Sequence, residues 1–471
     1  HVRLDVPAEK CLRNPAGRAM LAPANFGIGV DVAADFDHRR GDLGGETRQS
    51  RDSVGHAAIV VSRWTVPRWP CLQRVGRRSR GGSTNLAPLC WEVALIERPA
   101  FTIGIEEEYL IVDIESRELV QDLPDGLMAS LEEILEAQVS PEFLRSQVEI
   151  GTKVCRSVQE ARSELKYLRR TVADVCNEYG LAPIAASTHP SADWYEQRHT
   201  DQPRYNILAN ALGGVIRRLL ICGMHVHVGI EDPDTRVDLM NQVLYFVPHM
   251  LALSTSSPFW NGDETGLKSY RTSVWQAVPR TGMPDEFDSW AEYERHVDVL
   301  VGAGVIEDAT KLWWDLRPSA RYPTLELRSN DICTNIEDTI AIAAMYVSLL
   351  SMLYRRRVQN QRWRIYSRML IEENVWRAQR YGVSGDLIDF GKGELVPYAQ
   401  LLEEMFQLVR KDAKMLDCRN ELAHARTILD RGTSADTQLR IYHDAIDDGA
   451  TNDEALVKVV DWLIAETVAG T

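Results

Sequence analysis

Gly104-Ile105-Glu106-Glu107-Glu108-Tyr109 sets three consecutive carboxylates among apolar neighbours, an arrangement that costs free energy unless cations share the site. In a strand, Glu106 and Glu108 fall on one face, about 6.5 to 7 Å apart along the backbone, a reach that suits neighbouring hard metal ions. Glu107 points the other way, where solvent would serve it. The bland alternative is an edge strand whose charges discourage pairing. Glu149, in SQVEIGT, is a further strand carboxylate, with Glu142 upstream as its companion. His225 and His227 of GMHVHVG share one strand face and leave Val226 and Val228 to the other, so both rings can enter one cavity as ligands or as hydrogen-bonding groups near phosphate. In PTLELRSND, Glu326 and Arg328 alternate with Leu325 and Leu327. They read either as an in-strand ion pair or as a carboxylate beside an arginine fork that neutralises a transferring phosphoryl group. Asp315 and Arg317 stand just upstream. Arg271 is a candidate clamp for a substrate carboxylate, with Ser256, Ser257 and Thr265 as hydrogen-bonding groups beside it.

The chain contains no GxxxxGK[ST] loop, no GxGxxG between a strand and a helix, no GxSxG elbow and no HExxH helix. A nucleotide would therefore be held through metals on the carboxylates of a sheet. The elements that must position these residues are legible. FTIGIEEEYLIVD and SQVEIGTKV alternate like strands, and LMASLEEILEA (127 to 137) has helical composition. Val158, Ala161, Leu165, Leu168, Val172 and Val175 recur at helical spacing, with Ser157 and Glu160 placed as a capping box and Gly180 as the stop. Residues 207 to 220, 237 to 253, 336 to 357 and the tail from Pro397 to about Glu466 read as helices, while ICGMHVHVGIE reads as a strand. Strands and helices mix without strict βαβ alternation, which predicts an α+β fold, a mostly antiparallel sheet with packed helices. The stretch from 256 to 284 is rich in Gly, Pro and Trp and long enough to be read as a functional loop.

With 471 residues, 45% hydrophobic and 26% charged, the chain can bury a large core. The formal net charge of -15 disfavours nucleic acid and anionic membrane and favours small-molecule partners. No apolar run spans a bilayer: Thr339 to Tyr354 contains Ser348 and Ser351 and stops at Arg355-Arg356-Arg357, so it reads as a buried helix. No export-signal pattern is visible and the 8 cysteines form no CxxC pair, so a cytoplasmic protein with reduced thiols is expected. The first 100 residues differ in carrying 15 basic and 10 acidic residues, against 38 and 58 in the remainder. Residues 1–98 are expected to be an irregular, non-functional extension resembling translated upstream sequence, with 99–471 as the catalytic domain. A basic nucleic-acid arm at Arg74 to Arg80 is the alternative for the extension.

From Phe101 onward the chain resembles the carboxylate-amine ligase family related to type 2 glutamate-cysteine ligases. The resemblance rests on GIEEEYLIVD, QVEIGT, GMHVHVG, SSPFWNGDETGLKSYR, WWDLRPSARYPTLELRSND and NVWRAQRYG in that order. It implies a glutamine synthetase-like catalytic fold and an enzyme that uses ATP and Mg²⁺ to phosphorylate the γ-carboxylate of glutamate, the acyl phosphate then being attacked by an amine such as cysteine. Carried over by position, Glu106, Glu108, Glu149, His225 and Glu326 resemble the metal shell. His225, His227, Arg328 and Arg377 resemble groups around nucleotide and phosphate, and Glu326 and Arg328 the catalytic pair. Arg271 and Thr265 are expected on the substrate. Analogy also implies a homo-oligomer. Two other readings stay open: a metal-dependent hydrolase built on His225 and His227 with Asp315 or Glu326, and a nucleotide-binding regulatory homologue without turnover.

Overall fold

The computed structural model describes residues 98–471; the expectations for the extension and its basic run fall outside the described residues. A 7-stranded sheet runs in the order β10(Leu316–Pro318), β11(Thr324–Leu327), β5(Met224–Gly229), β1(Ile103–Asp113), β3(Gln147–Gly151), β2(Val139–Pro141), and β4(Leu181–Ile184) pairs with the far end of β1. All of these pairings are antiparallel. Three small pairs stand apart: β6(Phe259–Trp260) with β7(Asp263–Glu264), β8(Thr281–Gly282) with β9(Trp313–Trp314), and β12(Asp386–Asp389) with β13(Glu394–Pro397).

Alternation gives the sheet two different faces. On one, Ile105, Tyr109, Val148, Ile150, Val226, Val228, Leu325 and Leu327 are buried as core. Against that face pack α2(Val158–Glu178) and α8(Ile336–Val358). Helix α2 starts where expected: the Ser157 side chain accepts from the Glu160 N–H, although the Glu160 carboxylate reaches back to Arg156 N–H and not to Ser157. It ends at Tyr179 and Gly180, whose φ of 72° suits glycine. By length and composition α8 could cross a membrane, but 94% of its apolar window is buried inside the protein.

The other helices before the tail are α1(Leu127–Leu135), α3(Pro203–Leu212), α4(Pro233–Val243), α5(Val247–Ser254), α6(Tyr270–Trp275), α7(Trp290–Gly302) and α9(Arg368–Tyr381); α1 packs on β2, α4 on β10 and β11, and α5 on α8 and α9. The tail is helical as expected, in four pieces: α10(Tyr398–Met415), α11(Arg419–Arg431), α12(Ser434–Asp447) and α13(Asn452–Thr467), with Pro397 at the N-cap of α10. The segment 256–284 is less irregular than expected, because β6, β7, α6 and β8 fall within it. Cys155, Cys176, Cys222, Cys333 and Cys418 are free and buried.

Candidate active site

The second face of the sheet carries the polar residues. Register sets Glu106 opposite His225, Glu108 opposite Glu149, Glu326 opposite His227, and Arg317 opposite Glu326. Every one of these side chains projects from a strand whose alternate residues are locked in the core, so the face cannot slip by one residue without exposing that core.

Glu106 is the hub. Its carboxylate lies 3.1 Å from His225 Nδ1 and 3.3 Å from His227 Nε2. The other ring nitrogen of His227 is 2.9 Å from Thr324 Oγ1. Glu326 holds Arg317 at 2.8 Å and also pairs with Arg328, and its carboxylate is 3.9 Å from His227. Ser140 donates to Glu149 at 3.1 Å, and Glu108 accepts the Gly223 N–H at 2.6 Å. A Cβ at Gly223 would meet the Arg271 guanidinium, so glycine here lets the strand and that group approach.

Burial works to raise the Glu106 carboxyl pKa, but the hydrogen bond from His225 and the His227 ring beside it outweigh it and hold the group well below the usual range. Glu326 is likewise lowered against its burial, by Arg328, His227 and Arg317. Glu149 goes the other way: burial, then repulsion from Glu142, Glu106 and Glu108, pushes it well above the usual range. His225 is lowered by burial and by Arg328, whereas His227 is raised by Glu326 and Glu106 in spite of burial. Carboxylates thus crowd around Glu149 on one side of the face, while Arg317 and Arg328 offset Glu326 on the other.

That crowding and the donor set fit a hard divalent cation. Ligand atoms of Glu106, Glu149 and His225, and those of Glu106, His227 and Glu326, each lie within 4.8 Å of one another. His227 Nε2 is buried and makes no hydrogen bond. Each triplet offers two carboxylates, the hard ligands that Mg²⁺ and Mn²⁺ take, and one imidazole. Glu108 shares the face but belongs to neither triplet; its carboxylate is turned to Gly223.

The cleft over the cluster has a volume of about 570 Å³ and is lined by Glu106, Glu108, Glu149, His225, Arg317 and Arg328, among others. A cavity adjoins it on either side along β1. At the amino end, about 390 Å³ is enclosed by Thr102 to Glu106, Gly151 to Val154, His227, Gly229 and Tyr322 to Thr324. At the Glu108 end lies a cavity of about 120 Å³ with Arg271, Arg328, Gln147 and several aromatic side chains in its wall. Arg271 is 4% exposed; its Nη atoms donate to the carbonyls of Ser329 and Arg328, and its Nε has no partner. Arg328 Nε is also buried without a partner.

The structure brings Glu106, Glu108, Glu149, His225, His227, Glu326, Arg328 and Arg271 to this region. It does not bring Thr265 or Arg377 there. The Thr265 hydroxyl caps its own turn, donating to the Pro258 carbonyl at 2.9 Å. Arg377 donates to the Asp386 carbonyl at 2.6 Å and stacks on Tyr381. The motif that contains it acts through its neighbour Gln379, whose carbonyl accepts the N–H groups of Lys268 and Ser269 and so fastens the segment that bears Arg271. Ser256 and Ser257 are anchors too: Asp331 accepts Ser256 N–H and the hydroxyls of Ser257 and Ser269. Asp315 is buried near Arg271, Arg328 and Arg368, outside both ligand triplets. Glu107 is not solvated. It is fully buried on the core face in a 2.6 Å ion pair with Arg169 and accepts hydroxyls from Tyr109 and Thr339. Sequence reasoning missed the aromatic wall of Phe143, Tyr205, Trp275 and Trp313; the only signal was their position beside the charged motifs.

Comparison with known proteins adds the family. The model of glutamate-cysteine ligase family 2 matches residues 102–460. A protein of Rhodospirillum rubrum named "Putative glutamate--cysteine ligase 2" is 59% identical over 378 residues, 79% of this chain and 97% of the relative. One of the same name from Jannaschia sp. is 51% identical over 366 residues, 78% of this chain and 96% of that one. Among solved structures, a glutamate–cysteine ligase of Francisella tularensis in complex with AMP superposes with a TM-score of 0.56 at 14% identity, covering 79% of this chain and 90% of that one. A bifunctional glutathione synthetase of Pasteurella multocida gives 0.58 at 14% identity, covering 78% of this chain and 52% of the larger protein. The likeness in fold bears out the expected α+β architecture, a mostly antiparallel sheet with packed helices.

Proposed function

The chain belongs to glutamate-cysteine ligase family 2 and is a ligase, and we propose that it joins the γ-carboxylate of L-glutamate to an amine, using ATP and Mg²⁺, through a γ-glutamyl phosphate. The observation that carries this reading is the gathering of Glu106, Glu149, His225, His227 and Glu326 on one sheet face between two cavities, with Arg328 at their edge.

In this reading Glu106, Glu149 and His225, and Glu106, His227 and Glu326, are the residues that would hold divalent cations. When bound, such a cation neutralises charge on the phosphoryl oxygens of ATP. The cavity at the amino end of β1 takes the nucleoside, against the backbone of Gly104, Gly151 and Gly229. Arg328, oriented by Glu326, directs its fork at the γ-phosphoryl group and the acyl phosphate. Arg271 takes the α-carboxylate of glutamate, which sets the γ-carboxylate toward the cluster. Trp275 and Trp313 wall the far cavity and keep water from the acyl phosphate. The protein supplies no nucleophile; positioning and charge neutralisation do the work.

The test is ADP release by the purified protein with ATP and Mg²⁺. Release should require both L-glutamate and an amine, and a γ-glutamyl amide of matching mass should accumulate. ADP formation indifferent to glutamate would overturn the reading, and hydrolysis of an ester or amide with Zn²⁺ and no nucleotide would favour a hydrolase built on the histidine pair.

A further inference from the structure

Resting on the ligase reading and its cation sites, a supporting residue can be assigned to the triplet of Glu106, His227 and Glu326. Imidazole coordinates through a nitrogen that carries no proton, and which nitrogen that is depends on the hydrogen bond made by the other. For His227 the other nitrogen is Nδ1, and its partner is Thr324. Thr324 opens β11 two residues before Glu326 and so shares the polar face. Its backbone is held by its own turn: the Thr324 N–H donates to the Tyr322 carbonyl at 2.7 Å, and the Thr324 carbonyl accepts the Ser319 N–H at 3.0 Å. Across the strand pair stands Gly229, which has no side chain, and the hydroxyl reaches the diagonal neighbour, with Oγ1 2.9 Å from His227 Nδ1. Branching at Cβ limits the rotamers of Thr324, and the Tyr322 ring meets the imidazole edge-on, 6.4 Å between centroids. The ring is thereby held with Nε2 toward the carboxylates.

A hydroxyl can accept or donate. If Thr324 donated, Nε2 would carry the ring proton and offer it to a carboxylate. Nε2 is 3.3 Å from Glu106 and 3.9 Å from Glu326, yet it makes a hydrogen bond with neither, while the three residues offer ligand atoms within 4.8 Å of one another. We infer that Thr324 is a positioning residue: its hydroxyl accepts the Nδ1–H of His227, keeps the proton off Nε2, and so leaves that nitrogen's lone pair for a divalent cation shared with Glu106 and Glu326.

The experiment measures Mn²⁺ binding by the full chain without nucleotide, from the electron paramagnetic resonance of the free ion, for wild type, Thr324→Val and Thr324→Ser. Valine keeps the branch and removes the hydroxyl; serine keeps the hydroxyl. The expected result is that Thr324→Val weakens one class of site about tenfold or more, while Thr324→Ser stays within about threefold of wild type. Equal binding in all three, or equal weakening in both variants, would overturn the inference. Should Thr324→Val fail to fold, histidine ¹⁵N NMR of the wild type with Mg²⁺ decides without it. His227, identified by the signal lost in His227→Asn, is expected to carry its proton on Nδ1; a proton on Nε2 would overturn the inference. Wild type given ATP, Mg²⁺, L-glutamate and hydroxylamine separates this inference from the ligase reading, because hydroxylamine traps γ-glutamyl phosphate as the hydroxamate. Hydroxamate alongside any of the overturning results leaves the ligase reading standing, whereas no hydroxamate and no Mn²⁺ binding by wild type would overturn both.

Discussion

Glu326 supports Arg317, Arg328 and His227 on one carboxylate, and its charge and its shape can be separated. Glu326→Gln keeps the shape and a hydrogen-bond acceptor but removes the charge, so kcat should fall about 10²-fold or more while the melting temperature falls less than in Glu326→Ala. Glu326→Ala should add a stability loss of about 3 to 5 kcal/mol, since it leaves buried arginines unpaired. ADP release and thermal melting on the two variants check both halves; wild-type turnover in Glu326→Gln would remove this residue from the chemistry. Arg328→Lys should also lose about 10²-fold, because an ammonium cannot present the planar fork. Glu107 makes the complementary case on the core face. Arg169→Met removes the partner of a fully buried carboxylate, and chemical denaturation should register a loss of about 3 to 5 kcal/mol. Alternation in the sequence told that Glu107 faces away from Glu106 and Glu108, and it was right. It could not tell that this face is closed by α2, because Arg169 lies 62 positions away on a helix whose other inward residues are apolar. Charge alone suggested solvent; the tertiary partner decided otherwise.

At the scale of elements, the strands and long helices were legible because their periodicities are strong: β1, α2 and α8 fall within a residue or two of their expected positions, and β5 and β11 lie inside the longer stretches read as strands. The segment from 256 to 284 was not, since its short elements are stabilised by contacts from elsewhere in the chain. Asp331, just beyond β11, accepts from Ser256, Ser257 and Ser269 and sits fully buried. Gln379 at the end of α9 takes two more N–H groups. The serines and Thr265 carry hydroxyls that suit substrate binding equally well on paper; only the fold shows that they are spent on the turn. Arg271 depends on this bracing, because it stands in the first turn of α6 and its own N–H is held by Ser257. Asp331→Ala should therefore release the segment. Amide hydrogen exchange across 256–275 should speed up by about an order of magnitude or more, and KM for glutamate should rise about tenfold, with a smaller effect on kcat. Unchanged protection with a raised KM would mean that Asp331 acts on the substrate and not on the segment.

For the molecule as a whole, acid sensitivity has an identifiable source away from the cluster. His189 and His249 are each 1% exposed. Burial depresses both, from 6.5 to about 4. His189 is held as the neutral ring: Nδ1 accepts the N–H groups of Ser191 and Ala192, and Nε2 lies 3.1 Å from the Arg117 carbonyl and donates to it. A proton added at Nδ1 would set a donor against two donors. His249 is packed between Tyr245 and Tyr398 with its Nδ1 unpartnered. Between the unfolded and folded values, the unfolded chain binds protons that the folded chain does not, so stability rises with pH through that window and is lost as pH falls from about 6.5 toward 4. Each histidine contributes on the order of 3 kcal/mol over the full window. In His189→Asn an amide oxygen can take the place of Nδ1 as acceptor, and the titration is gone. Urea unfolding between about pH 7 and pH 4.5 should show wild type losing about 2 to 3 kcal/mol more than His189→Asn, whatever the carboxylates do in both. Parallel curves would mean that the loop carrying His189 opens before the ring protonates, and that acid acts first on local structure at the end of β4 and not on the global fold.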